Sequence, residues 1–113
     1  MQIETSERGE VTVLTISGNF QNQDSRTLQK LFQELVDGGK FKIVADLSEL
    51  AYLNSAALGI LVSTMKSARS RKGDLKLSGL KGLAMDVFRI TRLSSVFQLH
   101  PSIDEAIASF KEE

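Results

Sequence analysis

The chain has 113 residues, balances 14 basic against 14 acidic side chains and contains no cysteine. This length fits one domain with its own core, and the balanced charge argues against nucleic acid as the main partner. The lack of cysteine excludes disulfides and thiolate metal sites. No apolar run is long enough to span a bilayer, and residues 1–10 lack the pattern of a signal peptide, so we expect a cytoplasmic protein.

The first third of the chain predicts a β-hairpin followed by a helix. Strands are predicted over residues 3–5 and 11–17, with a turn at Arg8-Gly9 where glycine permits a positive φ. A polar loop over 19–23 precedes a helix capped by Asp24 or Ser25. The buried stripe of that helix is Leu28, Leu31, Phe32, Leu35 and Val36.

The most informative stretch runs from residue 42 to residue 69. A nearly unbroken apolar run at 43–47 predicts a strand that is buried on both faces of a parallel sheet. A loop over 48–53 leads to a helix whose N-terminus lies at Ser55, and we expect Gly73 to supply a left-handed cap after its end. The stripe of that helix that faces the sheet is Leu58, Leu61, Val62, Met65 and Ala68.

The rest of the chain alternates strands and helices. Strands are predicted over residues 75–78 and 96–99, and a helix between them buries Leu83, Val87 and Ile90. Ser102 and Glu105 form a capping box for a last helix with Ile103, Ile107 and Phe110 inward, which frays over 111–113. The order predicts a single α/β domain over 1–113: a mixed, mainly parallel sheet of four to five strands, about four helices and an opening hairpin.

The outer face of the central helix is small and weakly polar. It carries Ala56, Gly59, Ser63 and one large apolar residue, Ile60. Solvated helix faces are usually rich in charged residues, so this face favours close approach by another backbone. The alternative is a surface helix with one isolated apolar residue, which is common.

Catalytic and metal chemistry find little support in the sequence. The single histidine, His100, precedes Pro101 in a predicted turn, far in sequence from any obvious nucleophile or carboxylate pair, and is expected to be a surface or loop residue. One histidine and no cysteine leave no metal constellation, and no cofactor motif is present. We therefore expect a protein without catalytic residues, metal or cofactor.

Ser55 is the residue with the clearest functional reading. It is either an N-cap, a role that Asn54 would fill equally well, or a phosphate acceptor. A phosphate would add roughly −1.5 to −2 charges next to helix N–H donors that tolerate an anion. A partner docked over Gly59 and Ile60 would then meet an unpaired charge, so phosphorylation would stop binding without unfolding the domain.

Two segments resemble a known family. The segments Val44-Ala45-Asp46-Leu47-Ser48 and Tyr52-Leu53-Asn54-Ser55-Ala56-Ala57-Leu58-Gly59-Ile60-Leu61 closely resemble the signature of the STAS domain of bacterial anti-sigma factor antagonists. The similarity extends over nearly the whole chain. It implies a partner switch: an anti-sigma factor that is also a serine protein kinase binds the unphosphorylated antagonist, releases a sigma factor and phosphorylates Ser55. A PP2C-type phosphatase reverses the modification.

The resemblance implies a partner-binding surface, and some of its positions depart from the family pattern. Asn54 stands where the family usually has Asp, Ala56 and Ala57 where it often has Ser or Thr and then Gly, and Gln21 where a Gly-x-x-Asp motif would place a second Asp. The expected partner-binding residues are Gln21, Asn54, Ser55, Ala56, Ala57, Gly59, Ile60 and Ser63.

These departures leave two readings open. Loss of the carboxylates either weakens the presentation of Ser55 to a kinase or reduces repulsion against a phosphoserine. The alternative function is an adaptor or scaffold subunit of a signalling or transporter assembly that is not phosphorylated and in which Ser55 is only a cap. We expect a monomer or a weak dimer, since a sheet edge and the Ile60 face leave self-association open.

Overall fold

The strands form one sheet in the order β1-β2-β3-β5-β6, with a short β4 paired to the end of β2. The computed structural model describes residues 1–111. The elements are β1 Gln2–Arg8, β2 Val11–Asn19, α1 Asp24–Asp37, β3 Lys42–Asp46, β4 Leu50–Tyr52, α2 Ser55–Ser70, β5 Asp74–Ser78, α3 Gly82–Ile90, β6 Leu99–His100 and α4 Ile103–Lys111. A 3-10 helix, Leu93–Ser95, precedes β6. The β1–β2 pair is antiparallel and the other pairs are parallel.

Alternating side chains build a core on each face of the sheet. In β2, Leu14 and Ile16 enter the larger core beneath α1, α2 and α3, while Val11 and Val13 enter a smaller core against α4. Strand β3 follows the same alternation, with Val44 on the α4 side. The predicted fold class, an α/β domain with a mixed, mostly parallel sheet and an opening hairpin, is confirmed. Within residues 1–111 there are four α-helices, as predicted, and the sheet has six strands against the four to five predicted.

Lys76 is the unusual member of the α4 side, because it is fully buried in β5. Its ammonium lies 4.0 Å from the centroid of the Phe110 ring and donates a hydrogen bond to Ser109 Oγ at 2.8 Å. A buried ammonium requires such partners, since an unpaired charge in the core costs on the order of several kcal/mol. Strand β5 thus contacts α4 through the hydrogen bond to Ser109 as well as through the packing of Lys76 on the Phe110 ring.

The buried face of helix α3 is the part of the fold that the sequence predicted least well. Leu83 and Ile90, predicted to be buried, are 79% and 81% exposed, and Val87 is half-buried. The helix instead turns Ala84 and Phe88 toward the core. The ring of Phe88 meets Phe97 edge to face, with centroids 5.8 Å apart, which fixes the helix rotation that a sequence with two apolar stripes leaves ambiguous.

Three smaller predictions are also wrong. The predicted loop over 48–53 contains β4, and the predicted strand over 96–99 is a two-residue strand at 99–100 that follows the 3-10 helix. At the end of α2, Lys72 and not Gly73 takes the left-handed conformation, with φ 67°. Gly73 is required for a different reason, because a Cβ there would overlap the Phe41 carbonyl.

The ends of the helices agree in part with the predicted caps. Ser102 Oγ accepts the Glu105 N–H at 3.2 Å, as the capping box predicts. Helix α1 begins at Asp24, and its N-cap residue, Gln23, makes no side-chain cap, so the predicted cap at Asp24 or Ser25 is wrong. The fraying predicted for 111–113 lies, for its last two residues, outside the described residues.

Candidate functional site

Two connections meet at the carboxyl ends of the strands and form the candidate site. The β2–α1 loop and the β4–α2 turn are joined by a hydrogen bond from the Phe20 N–H to the Tyr52 carbonyl, at 2.9 Å. A side-chain contact adds to it, since Asn54 Nδ2 donates to Asn22 Oδ1 at 3.0 Å. The fold thereby brings the loop that contains Gln21 beside Asn54, although the two are distant in sequence.

Asn54 is the N-cap of α2. Its backbone is extended, and Oδ1 accepts the Ala57 N–H at 3.0 Å. The Asn54 carbonyl accepts the first intrahelical bond, from the Leu58 N–H at 3.2 Å. Of the two cap candidates in the sequence, Asn54 therefore fills the role.

Ser55 is the first residue of α2 and is exposed. Within residues 1–111 its hydroxyl takes part in no hydrogen bond, because the neighbouring amide already serves as the cap. The first turn of α2 has no acidic side chain, so no carboxylate there would repel an anion on Ser55. The hydroxyl is therefore exposed and holds no contact of the helix start.

The outer face of α2 contains fewer of the predicted residues than the sequence indicates. Ala56, Gly59 and Ser63 are exposed, and a Cβ added to Gly59 would meet nothing within 4 Å. Ile60 does not lie on that face: it is half-buried and lines a cavity of about 60 Å³ between α1 and α2. Ala57 is only 3% exposed, with its methyl in the core. The exposed part of this face therefore consists of small residues, with Ala57 beneath it.

A second group of polar side chains lies at the same end of the sheet, but it is buried. Asp46, 7% exposed, accepts hydrogen bonds from Ser48 Oγ at 2.9 Å and from Ser78 Oγ at 3.0 Å. Gly79 closes over them with φ +73°, and a Cβ there would lie 2.6 Å from Ser48 Cβ. The Asp-Leu-Ser part of the sequence signature therefore holds the ends of β3 and β5 together.

His100 differs from its prediction as a surface or loop residue. It lies in β6 and is half-buried, and its carbonyl accepts the Gly79 N–H at 3.0 Å. The Nε2 atom is buried and has no hydrogen-bond partner within the described residues. Within the described residues, no nucleophile and no carboxylate forms a hydrogen bond with the imidazole ring of His100.

The charged pairs of the domain lie mostly at the opposite end of the sheet. Lys40 Nζ donates to Glu7 Oε1 at 2.8 Å, and this hydrogen bond lowers the pKa of Glu7. Lys42 pairs with Glu10 at 3.0 Å. No group of three potential metal ligands occurs within residues 1–111, and no helix of that part is long and apolar enough to cross a membrane.

The family model described as Mlab, STAS domain matches residues 3–100, which is most of the chain. The chain belongs to the STAS domain family. This STAS domain is 30% identical over 99 residues to BtrV of Bordetella bronchiseptica, named as a candidate anti-sigma factor antagonist, and the match covers 88% of this chain and 85% of BtrV. It is 39% identical over 54 residues to the anti-sigma-B factor antagonist of Listeria monocytogenes, a match that covers 48% of this chain and 47% of that protein.

Solved structures share the fold of this STAS domain. Unphosphorylated SpoIIAA, an anti-sigma factor antagonist, superposes with a TM-score of 0.87 at 15% identity, covering 99% of this chain and 98% of that one. Phosphorylated SpoIIAA from Bacillus gives a TM-score of 0.79 at 15% identity, covering 96% and 99%. An anti-sigma factor antagonist from Mycobacterium paratuberculosis gives 0.85 at 24% identity, covering 96% and 92%. The family recognised from the sequence is confirmed.

The sequence interpretation missed Asn22. It was part of a loop defined only by its polar composition, yet its side chain is the acceptor that holds the Asn54 amide. The carboxyl ends of adjacent parallel strands meet at one edge, so two asparagines that follow such strands are candidates for a mutual contact. Both asparagines are visible in the sequence, but their contact follows only once β4 is known to pair with β2.

Proposed function

We propose that this STAS domain is an anti-sigma factor antagonist that binds a kinase-type anti-sigma factor when Ser55 is unmodified and is released when Ser55 is phosphorylated. The observation that carries the proposal is the exposed Ser55 hydroxyl beside a helix cap made by Asn54. Binding of the antagonist would free the sigma factor that the kinase holds. The domain would be a ligand and a kinase substrate, without catalytic activity of its own.

The charge of the phosphate would provide the switch. At the N-terminus of α2 an anion is tolerated by the free domain, because the helix dipole and the N–H groups of the first turn favour negative charge. In a complex the same anion would be desolvated against the partner. This desolvation costs on the order of several kcal/mol unless a cation pairs with the anion. Phosphorylation would thus weaken binding and leave the fold unchanged.

The remaining parts of the proposal follow from this switch. A PP2C-type phosphatase would regenerate the binding form, and all the partners would meet in the cytoplasm. The surface formed by Gln21, Asn54, Ser55, Ala56, Gly59 and Ser63 would contact the kinase, whereas Ile60 and Ala57 would support that surface from below. The free domain would be a monomer or a weak dimer.

The test combines a kinase reaction with a binding measurement. The purified kinase-type anti-sigma factor of the same organism and ATP are expected to add one phosphate to the wild-type chain and none to Ser55→Ala. Ser55→Asp is expected to weaken binding at least tenfold in titration calorimetry, with an unchanged circular dichroism spectrum. Tight binding by Ser55→Asp would refute the charge switch, and phosphate on Ser55→Ala would place the acceptor elsewhere.

One observation favours a second candidate, a scaffold subunit that is not phosphorylated. Asn54 uses its amide to donate to Asn22, a contact that the aspartate usual in the family cannot make. An ordered, uncharged cap suits a constitutive contact. A stable partner bound equally by wild type, Ser55→Ala and Ser55→Asp would support the scaffold.

A further inference from the structure

Strand β1 is an edge strand with one open side. It is the first strand of the sheet order and, within residues 1–111, it pairs with β2 alone. It has seven residues, all of them exposed except the half-buried Ile3. Strand β6, at the other end of the sheet, has only two residues. An open edge as long as β1 presents a row of backbone N–H and C=O groups with which another strand can pair.

The charged side chains of β1 decide which strand could pair there. Glu7 already has a partner, since its Oε1 lies 2.8 Å from Lys40 Nζ. Arg8 lies 3.5 Å from Asp104, and these two side chains are 55% and 88% exposed. A guanidinium has five N–H donors, so Arg8 can bind a second carboxylate as well. Glu4 is exposed and forms no ion pair within the described residues.

Most arrangements of two β1 strands are unfavourable. Under two-fold symmetry a parallel pair sets every residue beside its own copy, which brings like charges together. An antiparallel pair has one residue at the axis, and an axis at Glu4, Glu7 or Arg8 would again oppose like charges. An axis at Gln2 or Ile3 would leave most of the strand unpaired.

Two antiparallel registers remain, and only one of them pairs opposite charges. An axis at Thr5 would place Ile3 opposite a carboxylate of the second copy. An axis at Ser6 places Glu4 opposite Arg8 of the second copy and, by symmetry, repeats that pair on the other side of the axis. Opposite charges directly across an antiparallel pair stabilise it. Charges that usually block an edge therefore complement each other in this register.

Both charge pairs would lie on one face of the joined sheet. Arg8 stands opposite Val11 of β2, whose side chain belongs to the core under α4. Side chains alternate along a strand, so Glu4 lies on that same face. Lys30 and Glu34 of α1 line a groove beside the other face of β1 and contribute one charge of each sign. These two charges therefore favour neither register.

We propose that β1 pairs antiparallel with β1 of a second copy, with the two-fold axis at Ser6, and that this forms a homodimer with one continuous sheet. The paired segment is residues 4–8. This contact is far smaller than the about 20–30 residues that each partner gives to a stable interface, so the Kd of the dimer should be about 0.1–1 mM.

The inference does not depend on the proposed function. Ser6 pairs with Val13 of β2, which in turn pairs with Val44 of β3. Ser55 follows β4, which pairs with the far end of β2 at Gly18 and Asn19. The dimer would therefore leave the Ser55 hydroxyl of both copies open.

The test measures the dimer Kd by sedimentation equilibrium between about 10 µM and about 1 mM protein. Glu4→Arg opposes like charges at both symmetric positions and is expected to raise the Kd at least about tenfold. The matched control is Asp86→Arg, which changes the net charge equally. Asp86 is exposed on α3, between β5 and β6, the strands farthest from β1 in the sheet order. Its Kd should match wild type.

Exchange of the two charges tests the register. Arg8→Glu is expected to weaken the dimer, and the combination of Glu4→Arg with Arg8→Glu should bring the Kd back to within about threefold of wild type. Both of these variants lack the contact of Arg8 with Asp104, so the comparison between them isolates the cross-strand pair. Thermal denaturation of each variant checks the fold.

Amide hydrogen exchange locates the contact. Raising the protein concentration should slow the exchange of open-side amides within residues 4–8 and leave the helices unchanged. A wild-type chain that stays monomeric up to about 1 mM would overturn the inference. A dimer that Glu4→Arg does not weaken, or one that the exchanged charges do not restore, would overturn it as well. Phosphorylation of Ser55 in the monomeric Glu4→Arg variant tests the proposed function separately.

Discussion

Two polar turns at the same end of the sheet behave in opposite ways. At the turn after β3, Asp46 points inward. Its carboxylate accepts hydrogen bonds from Ser48 and Ser78, and Gly79 packs over it. The turn after β4 directs Ser55 outward, where its hydroxyl is exposed beside the Asn54 cap. The two segments of the signature thus differ, one structural and one accessible, and polarity alone does not tell them apart.

The largest expected effect comes from removing the buried carboxylate. Asp46→Ala leaves the Ser48 and Ser78 hydroxyls without their acceptor, so the free energy of unfolding should fall by about 3 kcal/mol. Urea denaturation measures it, and Asp46→Asn, which keeps an acceptor, serves as the control with a smaller loss. A change below about 1 kcal/mol in Asp46→Ala would show that this turn does not carry the stability assigned to it.

The closing glycine should have the next largest effect. Gly79→Ala places a Cβ 2.6 Å from Ser48 Cβ on a backbone with φ +73° and is expected to cost about 2 kcal/mol. Gly39→Ala is the matched control, because Gly39 has φ +86° but nothing within 4 Å of an added Cβ. The difference between the two variants in urea isolates the steric part, and equal losses would contradict close packing at Gly79.

The cap of α2 comes third. Asn54→Ala removes the acceptor for the Ala57 N–H and the donor to Asn22, for an expected loss of about 1 kcal/mol. Asn54→Asp keeps the acceptor for the Ala57 N–H and loses the donor to Asn22, whose own amide can turn to donate to the new carboxylate, so it should be closer to wild type. Equal destabilisation by both variants would mean that the contact with Asn22, and not the cap, holds this turn.

Ser55→Ala should be the mildest change, within about 0.5 kcal/mol of wild type, because the exposed hydroxyl holds no contact within residues 1–111. Thermal and urea unfolding measure it side by side with Asn54→Ala. A loss as large as that of Asn54→Ala would return Ser55 to the role of a cap.

The sequence predicted the parts of this comparison that depend on periodicity. The apolar run at 43–47, the buried positions Leu28, Phe32 and Val36 of α1, and the position of Ser55 at a helix start all follow from spacing. The stripe of α2 was predicted only in part: Leu61, Met65 and Ala68 are buried as predicted, whereas Leu58 and Val62 are half-buried and Ala57 and Thr64 are buried in their place. The sequence did not predict which way a helix with two apolar stripes turns: Phe88 packs on Phe97, a contact formed only in the folded chain, and this leaves Leu83 and Ile90 outside. Nor did spacing reveal β4, whose three residues are stabilised by pairing with the end of β2.

The bare backbone at Gly59 has a consequence for engineering. A glycine within a helix is less favourable than alanine by about 0.5–1 kcal/mol, and a methyl group at this position would meet no neighbouring atom. A search for thermostable variants would therefore select Gly59→Ala early. If the proposed kinase-type partner approaches as closely as this surface allows, the same substitution would stabilise the domain and weaken the proposed interaction, so that stability and binding would oppose each other at position 59.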